Sequence, residues 1–228
     1  LDIVYNPART ALILQAEELG IPHASGLSML VAQAKRSSEQ FSGTPIDDSA
    51  LERVERIIHS RLRNIILIGM PAGGKTTLGA ALARALSVPF YDADTLAEQT
   101  AGRSIPAIFA AEGEAAFRAL ERRTLEALCT ETEIPCVIAT GGGAVLTEQN
   151  RELLRRSGTV FWLDRTVDNI MSTDYAAGRP LLAGGEAALR ALYAVRCPLY
   201  AACAHYRVPD GTVDQMKDFI LQLWRDTP

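Results

Sequence analysis

The eight residues Gly69-Met70-Pro71-Ala72-Gly73-Gly74-Lys75-Thr76 restrict what this chain can become more than any other stretch, because they fit G-x-x-x-x-G-K-[ST]. A short apolar run, 64–69, leads into them, and a segment of helical composition, 76–86, follows. That strand, loop and helix order is the setting in which the motif binds phosphate. Glycines let backbone N–H groups turn inward around phosphate oxygens, and the N-terminus of the new helix adds the positive end of its dipole. Lys75 is expected to reach the β and γ phosphates and Thr76 to ligate Mg²⁺, with Ala72, Gly73, Gly74 and Thr77 completing the cradle. A glycine turn that binds nothing needs neither Lys75 nor Thr76. A nucleoside triphosphate is therefore the expected ligand.

Beyond residue 63 the sequence alternates short apolar runs with amphipathic helical segments, the pattern of a parallel α/β sheet. Strand candidates are 64–69, 88–91, 136–139, 159–163 and 206–208, which gives an α/β fold with a five-stranded parallel sheet flanked by helices. The phosphate loop serves GTPases, motors and small-molecule kinases alike. The guanine-reading N-K-x-D is absent from the sequence, and the remaining stretch of about 165 residues is short for a motor. A small P-loop kinase remains, and it needs an acceptor site.

Composition limits the partners. With 23 Lys+Arg against 27 Asp+Glu the net charge is −4, which offers no basic face for nucleic acid or anionic membrane. No apolar run approaches the roughly 18 residues of a membrane helix. Cys129, Cys136, Cys197 and Cys203 lack any CxxC spacing and read as reduced thiols of a cytoplasmic protein. His23, His59 and His205 match no metal-ligand spacing. The chain opens on Leu1 rather than Met, and is expected to be part of something longer.

Phe90-Tyr91-Asp92-Ala93-Asp94 places two carboxylates at the end of the second strand candidate, where open α/β sheets meet their ligands. One can join a metal shell while the other takes a hydroxyl proton. The same pair can equally cap a helix starting at Thr95. The pattern continues with Gly102-Arg103-Ser104-Ile105, Ile108-Phe109, Gly113-Glu114, Phe117-Arg118, Glu121, and Thr140-Gly141-Gly142-Gly143-Ala144-Val145. Arg179-Pro180-Leu181-Leu182 and Arg196-Cys197-Pro198-Leu199-Tyr200 follow in order.

From residue 64 onward this ordered set resembles the shikimate kinase family, which transfers the γ-phosphate of ATP to the 3-hydroxyl of shikimate. The resemblance implies that Asp94 holds the shikimate hydroxyls and acts as base, while Asp92 joins Thr76 around Mg²⁺. It implies that Arg118 and Arg196 grip the substrate carboxylate, a role that suits planar guanidinium groups. Glu121, one helical turn after Arg118, would orient it. Phe109 and Phe117 would wall the ring, though both read equally well as core. Gly141, Gly142 and Gly143 would let backbone approach the substrate closely. Arg179, among Ala176, Ala177, Gly178 and Pro180, would ride a mobile lid and close over the phosphates.

Three departures stand out. Many members of that family carry an adenine-packing arginine seven residues before the lid arginine, where this chain has Ser172. The stretch after the last strand, Pro209-Asp210-Gly211-Thr212, also lacks an arginine. A weaker hold on the nucleotide or a relaxed choice of base is expected. The phosphate loop reads Ala72-Gly73-Gly74 where Gly-x-Gly is usual. Such changes leave a rival reading, a shikimate-kinase-like module that senses a ligand without catalysis.

Residues 1–43 differ in texture, with a strand-like start at 2–5 and helical stretches near 11–19 and 27–41. Asp2-Ile3-Val4-Tyr5-Asn6-Pro7 and Gly26-Leu27-Ser28-Met29-Leu30 resemble the C-terminal end of shikimate dehydrogenase, where the residues matching Tyr5 and Gln33 line the pocket. The upstream catalytic pair and a G-x-G-x-x-G are missing, so hydride transfer cannot be assembled. The resemblance implies a tail from a fused or associated dehydrogenase domain, expected to pack loosely because its strand lacks a partner. Residues 44–63 read as a linker helix, with Leu51, Val54, Ile57, Ile58 and Leu62 on one face, and 64–228 as the kinase domain.

Overall fold

The computed structural model describes residues 1–5, 10–130, 134–172 and 185–226. Its centre is β1 (Asn64–Gly69), buried along its whole length, as an uninterrupted apolar run between two neighbours must be. Four further strands follow: β2 (Phe90–Asp92), β3 (Val137–Ala139), β4 (Gly158–Asp164) and β5 (Tyr206–Pro209). They pair in parallel in the order β2-β3-β1-β4-β5, with Ile66 opposite Ile138 on one side and Val160 on the other.

Side-chain alternation along β1 feeds two cores. Ile65 and Leu67 pack with Leu78 and Leu82 of α4 (Lys75–Leu86) and with Met216 and Ile220 of α10 (Val213–Asp226). Ile66 and Ile68 face the other way. They meet Leu125 of α6 (Ile105–Thr130), Leu154 of α7 (Glu148–Ser157), and Leu189 and Tyr200 of α9 (Gly185–Cys203). Helices on both faces are the consequence of parallel pairing, since each crossover must leave the sheet and return. A smaller core joins Ala97 of α5 (Ala93–Ala101) to Ile108, Phe117 and Leu120 of α6. Short α8 (Val167–Met171) follows β4.

Local chemistry moves two boundaries away from the sequence expectation. The second strand starts at Phe90 rather than residue 88, because Pro89 has no N–H to give to a ladder and offers only its carbonyl, to Val137 N at 2.9 Å. The helix expected from Thr95 begins at Ala93, because the Asp92 carboxylate accepts the N–H groups of Asp94 and Thr95 at 3.1 and 3.2 Å. α6 is broken at Gly113, whose φ of 80° and ψ of 178° turn the chain before the run that carries Phe117, Arg118 and Glu121.

Residues 2–5 are extended but form no strand, contrary to expectation, and they do have a backbone partner. Asp2 N donates to Ala24 O at 2.9 Å and Gly26 N to Val4 O at 3.2 Å, so two isolated bonds replace a ladder. α1 (Ala11–Glu18), α2 (Gly26–Ser42) and α3 (Asp48–Leu62) complete this part, with α2 against α3 and α3 touching α10. The apolar stripe of α3 is incompletely covered: Leu51 and Ile58 are half-buried, while Val54 and Ile57 are exposed. Ile3, Tyr5, Leu19 and Ile21 also face solvent. Only Ile13, Leu27 and Val31 among the apolar side chains of α1 and α2 are buried.

No helix among the described residues is long and apolar enough to cross a membrane. So little burial gives the first helices a low local opening free energy. Amide hydrogen exchange is expected to be faster across residues 1–40 than in α4, and slower exchange there would contradict this reading of the packing.

Candidate active site

The phosphate loop forms at the carboxyl end of the central strand, with Gly74 in the left-handed region (φ 83°) as N-cap of α4. Ala72 is also left-handed, at φ 58°, a conformation that costs an L-residue about 1–2 kcal/mol. This is the position where the chain departs from the usual glycine, and the loop keeps its shape at the expense of strain. Lys75 is buried, and its Nζ donates to the carbonyls of Gly69 at 2.9 Å and Met70 at 2.7 Å. Thr76 and Thr77 are exposed on the first turn of α4.

The Thr76 hydroxyl donates to Asp92 Oδ2 at 2.6 Å, which joins the two residues expected to meet around Mg²⁺. Asp92 thus performs the capping role weighed for it through Oδ1, while its Oδ2 faces the phosphate loop. Asp94, in the first turn of α5, lies against the glycine loop after β3.

That loop is where the site closes. A Cβ on Gly141 would stand 2.5 Å from Asp94 Oδ1 and 3.0 Å from Glu121 Oε1. One on Gly142 would meet Pro71 of the phosphate loop at 2.7 Å, and one on Gly143 would overlap the Arg118 guanidinium. The three glycines were expected to leave room for substrate. In the structure Asp94, Pro71 and Arg118 stand against them, so that α5, α6 and the phosphate loop converge on one backbone segment.

Arg118 Nη1 donates to Glu121 Oε2 at 2.8 Å, as the spacing on α6 implied, and Nη2 to Glu114 Oε1 at 3.0 Å. Phe117 lies under that guanidinium, 5.2 Å from its centroid to Cζ, and belongs to the α5–α6 core, with the Phe109 ring tilted against it at 4.9 Å. Burial pushes the Glu121 carboxyl above its ordinary value; Arg118 opposes that, the Asp94 charge adds to it, and Arg196 again opposes it. Arg196 is only 4% exposed, and among the described residues neither its Nε nor its Nη1 has a hydrogen-bond partner. A buried guanidinium with two unused donors is an expensive arrangement unless a carboxylate or similar anion arrives to meet it.

The sequence reading did not assign Tyr200. Its hydroxyl donates to Gly142 O at 2.7 Å, and burial, its largest influence, raises its pKa to about 12, so it stays a donor. The available signal was its place one turn after Arg196 on the same face of α9. Burial likewise raises the thiols of Cys129 to about 11 and Cys203 to about 12, which removes them from chemistry at neutral pH. Arg179 and the lid expected around it lie outside the described residues.

A phosphate loop on a five-stranded parallel sheet, facing paired cations and an aspartate, defines a P-loop small-molecule kinase. The family pattern of shikimate kinase matches residues 71–223, and the chain belongs to that family. It is 46% identical over 151 residues to the shikimate kinase of Symbiobacterium thermophilum, covering 64% of this chain and 85% of that protein. The shikimate kinase of Thioalkalivibrio sulfidiphilus is 46% identical over 165 residues, 71% of this chain and 85% of that one. Among solved structures, shikimate kinase from Acinetobacter baumannii in complex with shikimate aligns with a TM-score of 0.68 at 38% identity, over 74% of this chain and 96% of that chain. These likenesses identify an enzyme and overturn the reading of a sensing module without catalysis.

The raised Glu121 pKa has a signature in the pH dependence of folding. Between the ordinary value of 4.5 and the raised one, the folded chain keeps a proton that the unfolded chain has released. Wild-type stability therefore falls as pH rises through that window. Glu121→Gln has no proton to lose there. Melting curves of both proteins from pH 4 to 8 are expected to shift the difference in Tm toward the variant as pH rises, and a pH-independent difference would refute the assignment.

Proposed function

We propose that the chain transfers the γ-phosphate of ATP to the 3-hydroxyl of shikimate, giving ADP and 3-phosphoshikimate. The observation that carries this is Arg196, buried with two donors unused among the described residues and close enough to act on the charge of Glu121, which Arg118 and Asp94 also face. Arg118 and Arg196 hold the shikimate carboxylate, and the bidentate fit sets the orientation of the ring. That places a ring hydroxyl at Asp94. The hydroxyl oxygen bonds to the γ-phosphorus as the bond to the β-bridging oxygen breaks, its proton passes to the Asp94 carboxylate, and ADP departs. Because phosphoryl transfer asks little covalent help, Asp94 contributes chiefly by positioning.

Gly73, Gly74 and the first turn of α4 receive the phosphates through backbone N–H groups, and Lys75 swings from the loop carbonyls to the γ-phosphate. The Thr76 hydroxyl and Asp92 Oδ2, 2.6 Å apart, are the kind of oxygen donors that suit Mg²⁺, which binds few protein groups and completes its shell with water and phosphate. Mg²⁺ bound there would offset the charge building on the phosphates. Arg179 adds a fixed cation when the lid closes and water is excluded. We place the enzyme in the cytoplasm, in keeping with four cysteines that form no disulfide among the described residues. We read residues 1–43 as the tail of a shikimate dehydrogenase domain fused to or associated with the kinase at 64–228. The exposed Ile3, Tyr5, Leu19 and Ile21 are side chains that such a neighbour would cover.

A coupled assay of ADP release with and without shikimate tests the reaction, and release that ignores shikimate would overturn it. Lys75→Ala or Arg179→Ala is expected to lower kcat about 10²-fold or more with the circular dichroism spectrum unchanged. Arg196→Lys keeps the charge but loses the fork, and is expected to raise KM for shikimate about tenfold or more. Near-wild-type constants in these variants would remove the assigned roles.

A further inference from the structure

The sheet order divides the carboxyl edge into two sides. Asp92 ends β2, Asp94 follows it and the three glycines follow β3, all on one side of β1 and its phosphate loop. β4 and β5 lie on the other side. If the terminal phosphate faces the acceptor across the loop, the sugar and base must extend over the ends of β4 and β5. Ser172, the residue at the place where the resemblance expects an arginine, brings no charge there, and its hydroxyl is committed to Asn169 O at 3.0 Å.

A different arginine occupies this side. Arg165, directly after β4, has Nη1 3.6 Å from where a Cβ on Gly74 would stand, so its guanidinium abuts the last glycine of the phosphate loop. Its Nε lies 3.0 Å from Asp210 Oδ1, and the two side chains are only 17% and 15% exposed. That contact is ionic, since neither atom completes an aligned hydrogen bond. Asp210, on the loop after β5, is itself fixed. Its Oδ2 accepts from Thr166 N at 2.9 Å, Thr166 Oγ1 at 3.2 Å and Asn169 Nδ2 at 2.7 Å. Burial works to raise the Asp210 pKa, but the Thr166 N–H, the Asn169 amide and Arg165 outweigh it and hold the carboxyl ionised. A cation thus stands against the phosphate loop, braced by an anion that ties the β4 and β5 ends together.

We propose that Arg165, held by Asp210, is the residue through which this chain grips the nucleoside end of ATP, in place of the arginine missing at position 172. The inference rests on the kinase reading above and deepens its nucleotide half. The planar guanidinium supplies the contact, and Asp210 is a positioning residue that keeps it beside Gly74.

Binding of ADP with Mg²⁺, measured by isothermal titration calorimetry, tests this without requiring turnover. Arg165→Gln retains most of the aliphatic stem and is expected to weaken ADP at least tenfold. Arg165→Lys is expected to recover only a small part of that loss, because it restores charge but not the planar group. In steady-state assays the same variants should raise KM for ATP by a larger factor than they lower kcat or raise KM for shikimate. Unchanged ADP affinity in Arg165→Gln overturns the proposal, as does a fall in ligand-free Tm with affinity intact, which would make the pair a structural tie only. If the wild type shows no shikimate-dependent turnover, the kinase reading fails, while the calorimetry still decides the role of Arg165.

Discussion

Between β3 and α7 the backbone passes so near its neighbours that a Cβ at any of three successive positions would displace one of them. Asp94 presses on Gly141, Pro71 on Gly142, and Arg118 on Gly143, while Tyr200 fastens the Gly142 carbonyl from α9. Each neighbour comes from a different element, and each carries part of the site. The glycines therefore set the distance between the phosphate loop and the acceptor groups.

The electrostatics follow from this closeness. Two guanidinium groups and two carboxylates are gathered where water is scarce, and Glu121 sits among Arg118, Arg196 and Asp94. Arg118 spends its donors on Glu121 and Glu114, whereas Arg196 keeps Nε and Nη1 unmatched. An unmet buried donor costs about 1–3 kcal/mol, and an incoming carboxylate would recover that cost as binding energy. An apolar residue at 196 would avoid that cost, and under the proposed function the carboxylate of the substrate is what offsets it. The strained Ala72 in the phosphate loop is a second local cost at the same site.

Much of this was legible in the residues. The phosphate loop named its own ligand class, all five strands fell where apolar runs were bounded by breakers, and the spacing of Arg118 and Glu121 foretold their pairing. What escaped was whatever depends on contact between distant segments. Nothing local says that residues 2–5 would find Ala24 and Gly26 instead of a strand, or that Val54 and Ile57 of α3 would stay uncovered. Arg165 and Asp210 are 45 positions apart and become a pair only because β4 and β5 are neighbours in the sheet. A cation just past a strand's carboxyl end was the one hint available. The glycine triplet was read for its openness to substrate, and its true neighbours became visible only once α5 and α6 were folded against it.

The most direct measurement is a crystal structure of the chain with shikimate and ADP bound. The expected result places the shikimate carboxylate within hydrogen-bond distance of both Arg118 and Arg196, with a ring hydroxyl at Asp94 and the ADP phosphates in the loop from Gly69 to Thr76. A carboxylate bound elsewhere, with the Arg196 nitrogens still unmatched, would contradict the account at its centre.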